Sequence, residues 1–211
     1  MYTPAAFRET RADVIEAAIA AHPLAALVTM GSAGMEATHI PLLYREGVLR
    51  GHMARANPQW QRYSPNTEAL AIFGGPQHYV SPSWYPSAKE HGKVLPTWNY
   101  VSVHVRGPLT FHHDTDWLLE NVRALTDKQE AALDTPWRVD DAPPDYIANL
   151  TRAIVGVELT ITGIEGKWKV SQNRTDADRK GAIEGLRKLG SDDARRMARL
   201  VEDALNPATL E

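Results

Sequence analysis

Between residues 24 and 53 the chain reverses direction twice, and an antiparallel sheet is the simplest structure that allows it. Leu24–Met30 (LAALVTM) is a short apolar run ending in Gly31-Ser32-Ala33-Gly34. Met35–Tyr44 follows, then the tight turn Arg45-Glu46-Gly47, then Val48–Met53. Three strand-length runs joined by glycine-bearing turns read as a meander. Further strands are expected at Glu68–Phe73, continuing into His78–Ser81, and at Val155–Ile164, where Val157, Leu159 and Ile161 alternate with polar residues. The clearest is Asn99–Phe111. Val101, Val103 and Val105 alternate with Ser102, His104 and Arg106, so one face is buried.

Helical spacing appears at Ala12–Ala21, Asp114–Thr126, Ala142–Ile154 and from Thr175 onward, with Asp114, Asp176 and Ser191 as candidate caps. Asn57–Tyr63 reads as a short helix with Asn57 capping and Pro58 in its first turn. Residues 82–97 hold three prolines and a glycine and read as a long ordered loop. The sum is about six short strands with peripheral helices, a mainly β (α+β) fold closing as a small barrel or sandwich. Strict β-α-β alternation is missing, which argues against a doubly wound fold.

Composition narrows the chemistry. The 211 residues contain no cysteine, so disulfides, thiolate catalysis and Cys-ligated metal sites are excluded. A secretory signal and a membrane-spanning run are both missing, so a cytoplasmic location is expected. Residues 1–150 carry 12 Lys or Arg against 16 Asp or Glu, whereas residues 167–199 carry 10 against 5. The pI near 6.2 is low for a dedicated nucleic-acid binder. Standard P-loop, GxGxxG, GxSxG and HExxH motifs do not occur.

What stands out instead is aromatic and polar. Trp60, Trp84, Trp98 and Trp168 lie in or near the runs 78–100 (HYVSPSWYPSAKEHGKVLPTWNY) and 165–174 (EGKWKVSQNR), beside hydrogen-bonding residues. Flat surfaces next to convergent donors suit a planar, polar ligand. In His52-Met53-Ala54-Arg55-Ala56-Asn57 a strand end leads to a helix N-terminus, where backbone N–H groups and Arg55 favour an anion; a surface arginine beside an ordinary cap is about equally consistent. Asn99, between Trp98 and Tyr100, offers a donor and an acceptor to a ligand edge. Lys167, Lys169 and Gln172 surround Trp168 in the same spirit. His112-His113-Asp114 reads as a strand end with a capping aspartate, since adjacent strand residues face opposite ways and seldom share one metal. The basic helices after Thr175 carry interspersed Asp and Glu and read mainly as a solvated face.

The segments MYTPAAF, HIPLL (39–43), GHMARANPQW (51–60), YVSPSWY (79–85), EHGKVLPTWNY (90–100) and EGKWKVSQNR with Asp178-Arg179 together closely resemble the PaiB-type proteins, described as FMN-binding negative transcriptional regulators. The resemblance covers nearly the whole chain, in order. It implies a split β-barrel of the pyridoxamine-phosphate-oxidase and flavin-reductase kind over 1–172, with a helical insertion around 114–152 and a helical segment 173–211 packed on it. It also implies a homodimer holding FMN between subunits, and repression of sporulation and degradative-protease genes through DNA or another protein. By that likeness Arg55 and Asn57 face the FMN phosphate, and His52 and Met53 line the flavin. The His39–Leu43 strand lies along the ring, and Trp98 and Asn99 come from the partner subunit. Of the superfamily's basic phosphate pattern, Arg55 alone is present. Two alternatives stand beside the regulator: an FMN-dependent oxidoreductase with residues 82–97 closing over a site, and a protein binding haem or another planar ligand through one of His39, His52, His78, His91 or His104.

Overall fold

The structure, a computed structural model, describes residues 1–205. A 3-10 turn at Ala5–Phe7 precedes β1 (Arg8–Glu9) and α1 (Ala12–Ala21). Then come β2 (Leu24–Gly31), β3 (Gly34–Arg45), β4 (Val48–Ala54), α2 (Gln59–Arg62) and β5 (Ala69–Val80). After these follow α3 (Pro86–Glu90), β6 (Thr97–Gly107), β7 (Leu109–His112), α4 (Thr115–Glu130), α5 (Pro144–Arg152), β8 (Ile154–Thr160), β9 (Gly163–Lys169), α6 (Asp176–Leu189) and α7 (Asp192–Leu205). Residues 206–211 of the expected C-terminal helical segment lie outside the described residues.

The chain divides into two units. One, here the meander unit, comprises Glu16–Phe73 and His104–Ile164. Its strands hydrogen-bond in the order β5-β2-β3-β4-β8-β7. The expected meander is present: Met30 pairs with Met35 across the first turn and Arg45 with Val48 across the second. Gly34 (φ 92°) and Gly47 (φ 84°) take the left-handed backbone these turns require. β8 joins β4 with Leu159 opposite Leu49, and β7 joins β8 with Phe111 opposite Val157. Alternation on β4 sends Leu49, Gly51 and Met53 into the core and leaves Arg50 and His52 on the other face. Helix α4 packs against β4 and β8. Its Trp117 stacks on His112 at 4.0 Å and 8°, and a Cβ placed on Gly156 would come within 2.3 Å of the indole. Arg50 lies over the same indole at 5.6 Å and bonds Glu158 at 2.7 Å.

The other, the three-segment unit, comprises Met1–Ile15, Gly74–Val103 and the chain from Glu165 onward. Its strand order is β1-β9-β6-β5, with Arg8 opposite Lys167. Helices α6 and α7 bury Ile183, Leu186, Met197 and Val201 together with Val170. Trp84 lies flat on α6, so close that a Cβ at Gly185 would stand 2.2 Å from its ring.

Several sequence expectations need correction. Asn99–Phe111 is two strands, because Pro108 has no N–H for a ladder and breaks the run after Gly107. Val155–Ile164 is likewise divided: β8 ends at Thr160, and β9 begins at Gly163 and extends through Lys169. These two divisions and the unexpected β1 give nine strands among the described residues in place of about six. Residues 82–97 are not all loop. Ser81 caps a 3-10 turn at Pro82–Trp84, and Pro86 opens α3. The cap of α6 is Thr175, whose hydroxyl accepts from the Asp178 N–H, in place of Asp176. Asp114 caps α4 and Ser191 accepts from the Ala194 N–H, both as expected. Among the described residues no helix is long and apolar enough to cross a membrane.

Candidate functional site

Five of the nine candidate residues belong to the meander unit. His39 is exposed on β3. Met53 is 3% exposed, so its side chain fills the core and only its backbone faces the β4 edges. His52 stands on the opposite face, across from Gly156, and its Nδ1 is buried without a partner. Burial holds the His52 imidazole below the usual range near 6.5. Asn57 works inside the fold: its amide donates to Thr38 Oγ1 at 2.9 Å and its carbonyl accepts the Gln59 N–H at 3.0 Å. It satisfies the first N–H of α2 from one position earlier than expected, since the N-cap position is Pro58 and the helix begins at Gln59.

Arg55 is more fully engaged than its sequence position suggests. Its Nε donates to the Arg152 carbonyl at 2.7 Å and its Nη2 to the Ile154 carbonyl at 2.8 Å. These two atoms form the side-on fork that would otherwise grip two oxygens of a phosphate. Nη1 meets His113 Nδ1 at 3.3 Å. The Arg55 carbonyl in turn accepts from the Trp60 indole N–H at 3.0 Å, and Trp60 meets His113 edge-on at 5.2 Å. Arg55 therefore ties the strand–turn–helix element to the junction of α5 and β8, with Nη1 turned to His113. The backbone N–H groups of Arg55, Asn57 and Gln59 are bonded within the fold.

The other four candidates belong to the three-segment unit. Trp98 is half exposed yet held still: its indole N–H donates to Gln77 Oε1 at 2.8 Å, and Tyr79 packs edge-on at 6.1 Å. Asn99 is fully buried. Its amide donates to Ser171 Oγ at 2.9 Å, and its Oδ1 has no partner. Lys169 donates to Thr97 Oγ1 at 2.6 Å. Gln172 closes a turn on itself, accepting from the Val170 N–H and donating to the Trp168 carbonyl. This turn holds Ser171 at a positive φ of 67°. Lys169 and Gln172 thus build the wall that carries Asn99 and Ser171.

Sequence reasoning passed over a concavity in the same unit. A cavity of about 370 Å³ is lined by Gly74, Gly75, Gln77, Trp98, Tyr100, Val101 and Ser102. Gly74 has open space where a Cβ would point, whereas at Gly75 a Cβ would stand 2.9 Å from Val101. A glycine inside a strand can mark a close approach, as Gly75 does, and that signal was available although Gly74-Gly75 reads first as a strand end. His113 was a second omission, because its role depends on Trp60 and Arg55 arriving from elsewhere in the chain. Among the described residues no group of three or more His, Asp or Glu is placed to hold a metal ion.

Residues 1–163 match the family described as "Putative FMN-binding domain". The chain belongs to that family. It is 32% identical over 209 residues to the Bacillus subtilis protein named "Protease synthase and sporulation protein PAI 2", an alignment covering 97% of this chain and 98% of that one. The PaiB-type family seen in the sequence motifs is thus its family. Among solved structures it is similar to a flavocytochrome of Azotobacter vinelandii (TM-score 0.56, 15% identity, 80% of this chain and 70% of that one). It is equally similar to a FAD- and heme-binding protein of Mycobacterium smegmatis (TM-score 0.56, 15% identity, 77% and 73%). At such identity the likeness is one of fold, and it bears out the mainly β split-barrel with peripheral helices. FMN is the cofactor of the family. The residues present fit it in part: in the meander unit the unpartnered His52 Nδ1 is a buried polar atom of the kind a flavin edge satisfies.

Proposed function

We propose that this protein is an FMN-dependent negative regulator of transcription of the PaiB type, acting as a homodimer in the cytoplasm. The observation that carries the reading is full-length similarity to PAI 2 of Bacillus subtilis, whose name refers to protease synthesis and sporulation. The chain's own groups toward FMN would be the exposed His39, the His52 imidazole and the Nη1 end of Arg55, with Met53 contributing backbone and Asn57 fixing the turn. Trp98 and Asn99 of the partner subunit would meet the flavin, braced there by Lys169 and Gln172. When bound, FMN supplies a redox-active ring; the protein would supply hydrogen bonds and the exposed face of Trp98 to it.

A second copy of the chain has a surface to meet. Met35 is 71% exposed, and its partner across the turn, Met30, is 43% exposed. Paired exposed methionines on one hairpin suit an adaptable apolar contact. Contact with DNA would fall to the basic stretch 167–199, directly or through another protein.

The test combines two measurements on the purified protein. Flavin absorption bands retained through dialysis support the cofactor reading; a colourless protein that takes up no added FMN sinks it. A shift of promoter DNA that weakens steeply with salt supports direct repression. Flavin binding without any DNA shift at low salt removes direct repression and leaves a partner protein as the route.

A further inference from the structure

Arg179 is a buried cation whose gripping edge makes no hydrogen bond within the protein. Its side chain is only 9% exposed, in the first turn of α6. Its Nε and Nη2 are both shielded from solvent and have no hydrogen-bond partner. These are the two atoms of the side-on fork, the edge of a guanidinium that matches a carboxylate or phosphate with two parallel N–H···O bonds. The same edge of Arg55 is filled by two backbone carbonyls.

The nearby carboxylates do not fill the Arg179 fork. Asp176 reaches only Nη1, at 3.6 Å, and is itself 77% exposed. Asp178 is turned to α3, where it accepts from the Ser87 N–H at 3.1 Å and the Ser87 hydroxyl at 2.7 Å. A guanidinium whose inner edge is buried while its one carboxylate stands exposed at 3.6 Å is costly, because water no longer solvates that edge and no hydrogen bond replaces it. A second cation stands close along the chain: Arg174 lies over the Tyr85 ring at 4.9 Å.

We propose that the Arg179 fork is an anion site, taking a group that presents two coplanar oxygens, a carboxylate or a phosphate monoester. The site lies beyond residues 1–163, the stretch that matches the FMN-binding family. It does not depend on the regulatory reading above. Its chemistry has two sources: a free small oxyanion, or the terminal phosphate of a flavin mononucleotide.

The experiment is thermal unfolding of the flavin-free full chain with inorganic phosphate or acetate, against sodium chloride at equal ionic strength. Wild type should gain stability with either oxyanion and the gain should saturate. Arg179→Lys keeps the charge without the fork and should need about tenfold more anion for the same gain. Arg179→Met removes the charge, keeps an apolar stem, and should fold while losing the response. Failure of wild type to distinguish oxyanion from chloride, or an undiminished response in Arg179→Met, overturns the proposal. FMN and riboflavin then identify the source. If FMN alone abolishes the phosphate response, the occupant is the flavin phosphate; if neither flavin competes, it is a free oxyanion. Loss of flavin binding with the oxyanion response intact would count against the FMN reading and leave this site standing.

Discussion

Arg55 and His52 show how far a residue's type can be separated from its role. A basic residue between a strand and a helix cap suggests phosphate, yet the Arg55 fork holds the Arg152 and Ile154 carbonyls. Arg55→Ala should therefore destabilise the flavin-free protein by about 2 kcal/mol in urea denaturation, since charged hydrogen bonds to two carbonyls are lost. Unchanged stability would return Arg55 to a purely ligand-facing role. His52 carries a prediction in pH. Burial lowers its folded value below the unfolded value near 6.5, so folding favours the neutral ring. That stability is fully present above pH 6.5 and is lost as pH falls through the lowered folded value. His52→Asn should flatten this slope, measured as unfolding free energy against pH; an identical slope in the variant would assign it to other groups. Residue types in the candidate site were legible in the sequence, whereas their partners were not. Lys169, Gln172 and Asn57 have the donors and acceptors of a binding site but direct them inward, and only the folded chain shows Thr97, Trp168 and Thr38 beside them.

At the scale of elements, legibility followed glycine and alternation. The two hairpin turns could be read because Gly34 and Gly47 stand where positive φ is needed, and β6 because Val101, Val103 and Val105 alternate. β9 could not. Its run GIEGKWK mixes charge with glycine, and Gly166 is held close to its neighbour, a Cβ there standing 3.1 Å from the Glu9 carbonyl. Nothing in so polar a run signals a strand paired on β1. The docking of α4 is testable at this level. Gly156 exists to admit Trp117, so Gly156→Ala should force the indole off the sheet and cost about 1–3 kcal/mol, with Trp117 fluorescence shifted toward that of exposed tryptophan. A variant with native stability and an unshifted spectrum would mean that the helix moves aside freely. On α6, Gly185→Ala meets Trp84 in the same manner, and a loss of similar size is expected in thermal unfolding.

For the whole molecule, two expectations follow from the function proposed above. Met35→Glu should leave circular dichroism unchanged while halving the mass measured by light scattering, because a charge on the exposed hairpin repels a second copy. A mass unaffected by the change would move the subunit contact elsewhere. Saturating FMN at a hundred times its dissociation constant should add about 2.7 kcal/mol to the unfolding free energy. The three-segment unit has a further consequence. It draws on Met1–Ile15, on Gly74–Val103 and on the chain from Glu165 onward, and β1 waits for β9 as its partner. Because the ribosome delivers these pieces in order, Arg8 and Glu9 must wait for their ladder partners while about 150 other residues are synthesised. Closure over that separation is slow relative to local pairing. Premature termination anywhere before β9 leaves β1 permanently without its ladder partner, so quality-control proteases would meet truncated chains displaying an unpaired strand.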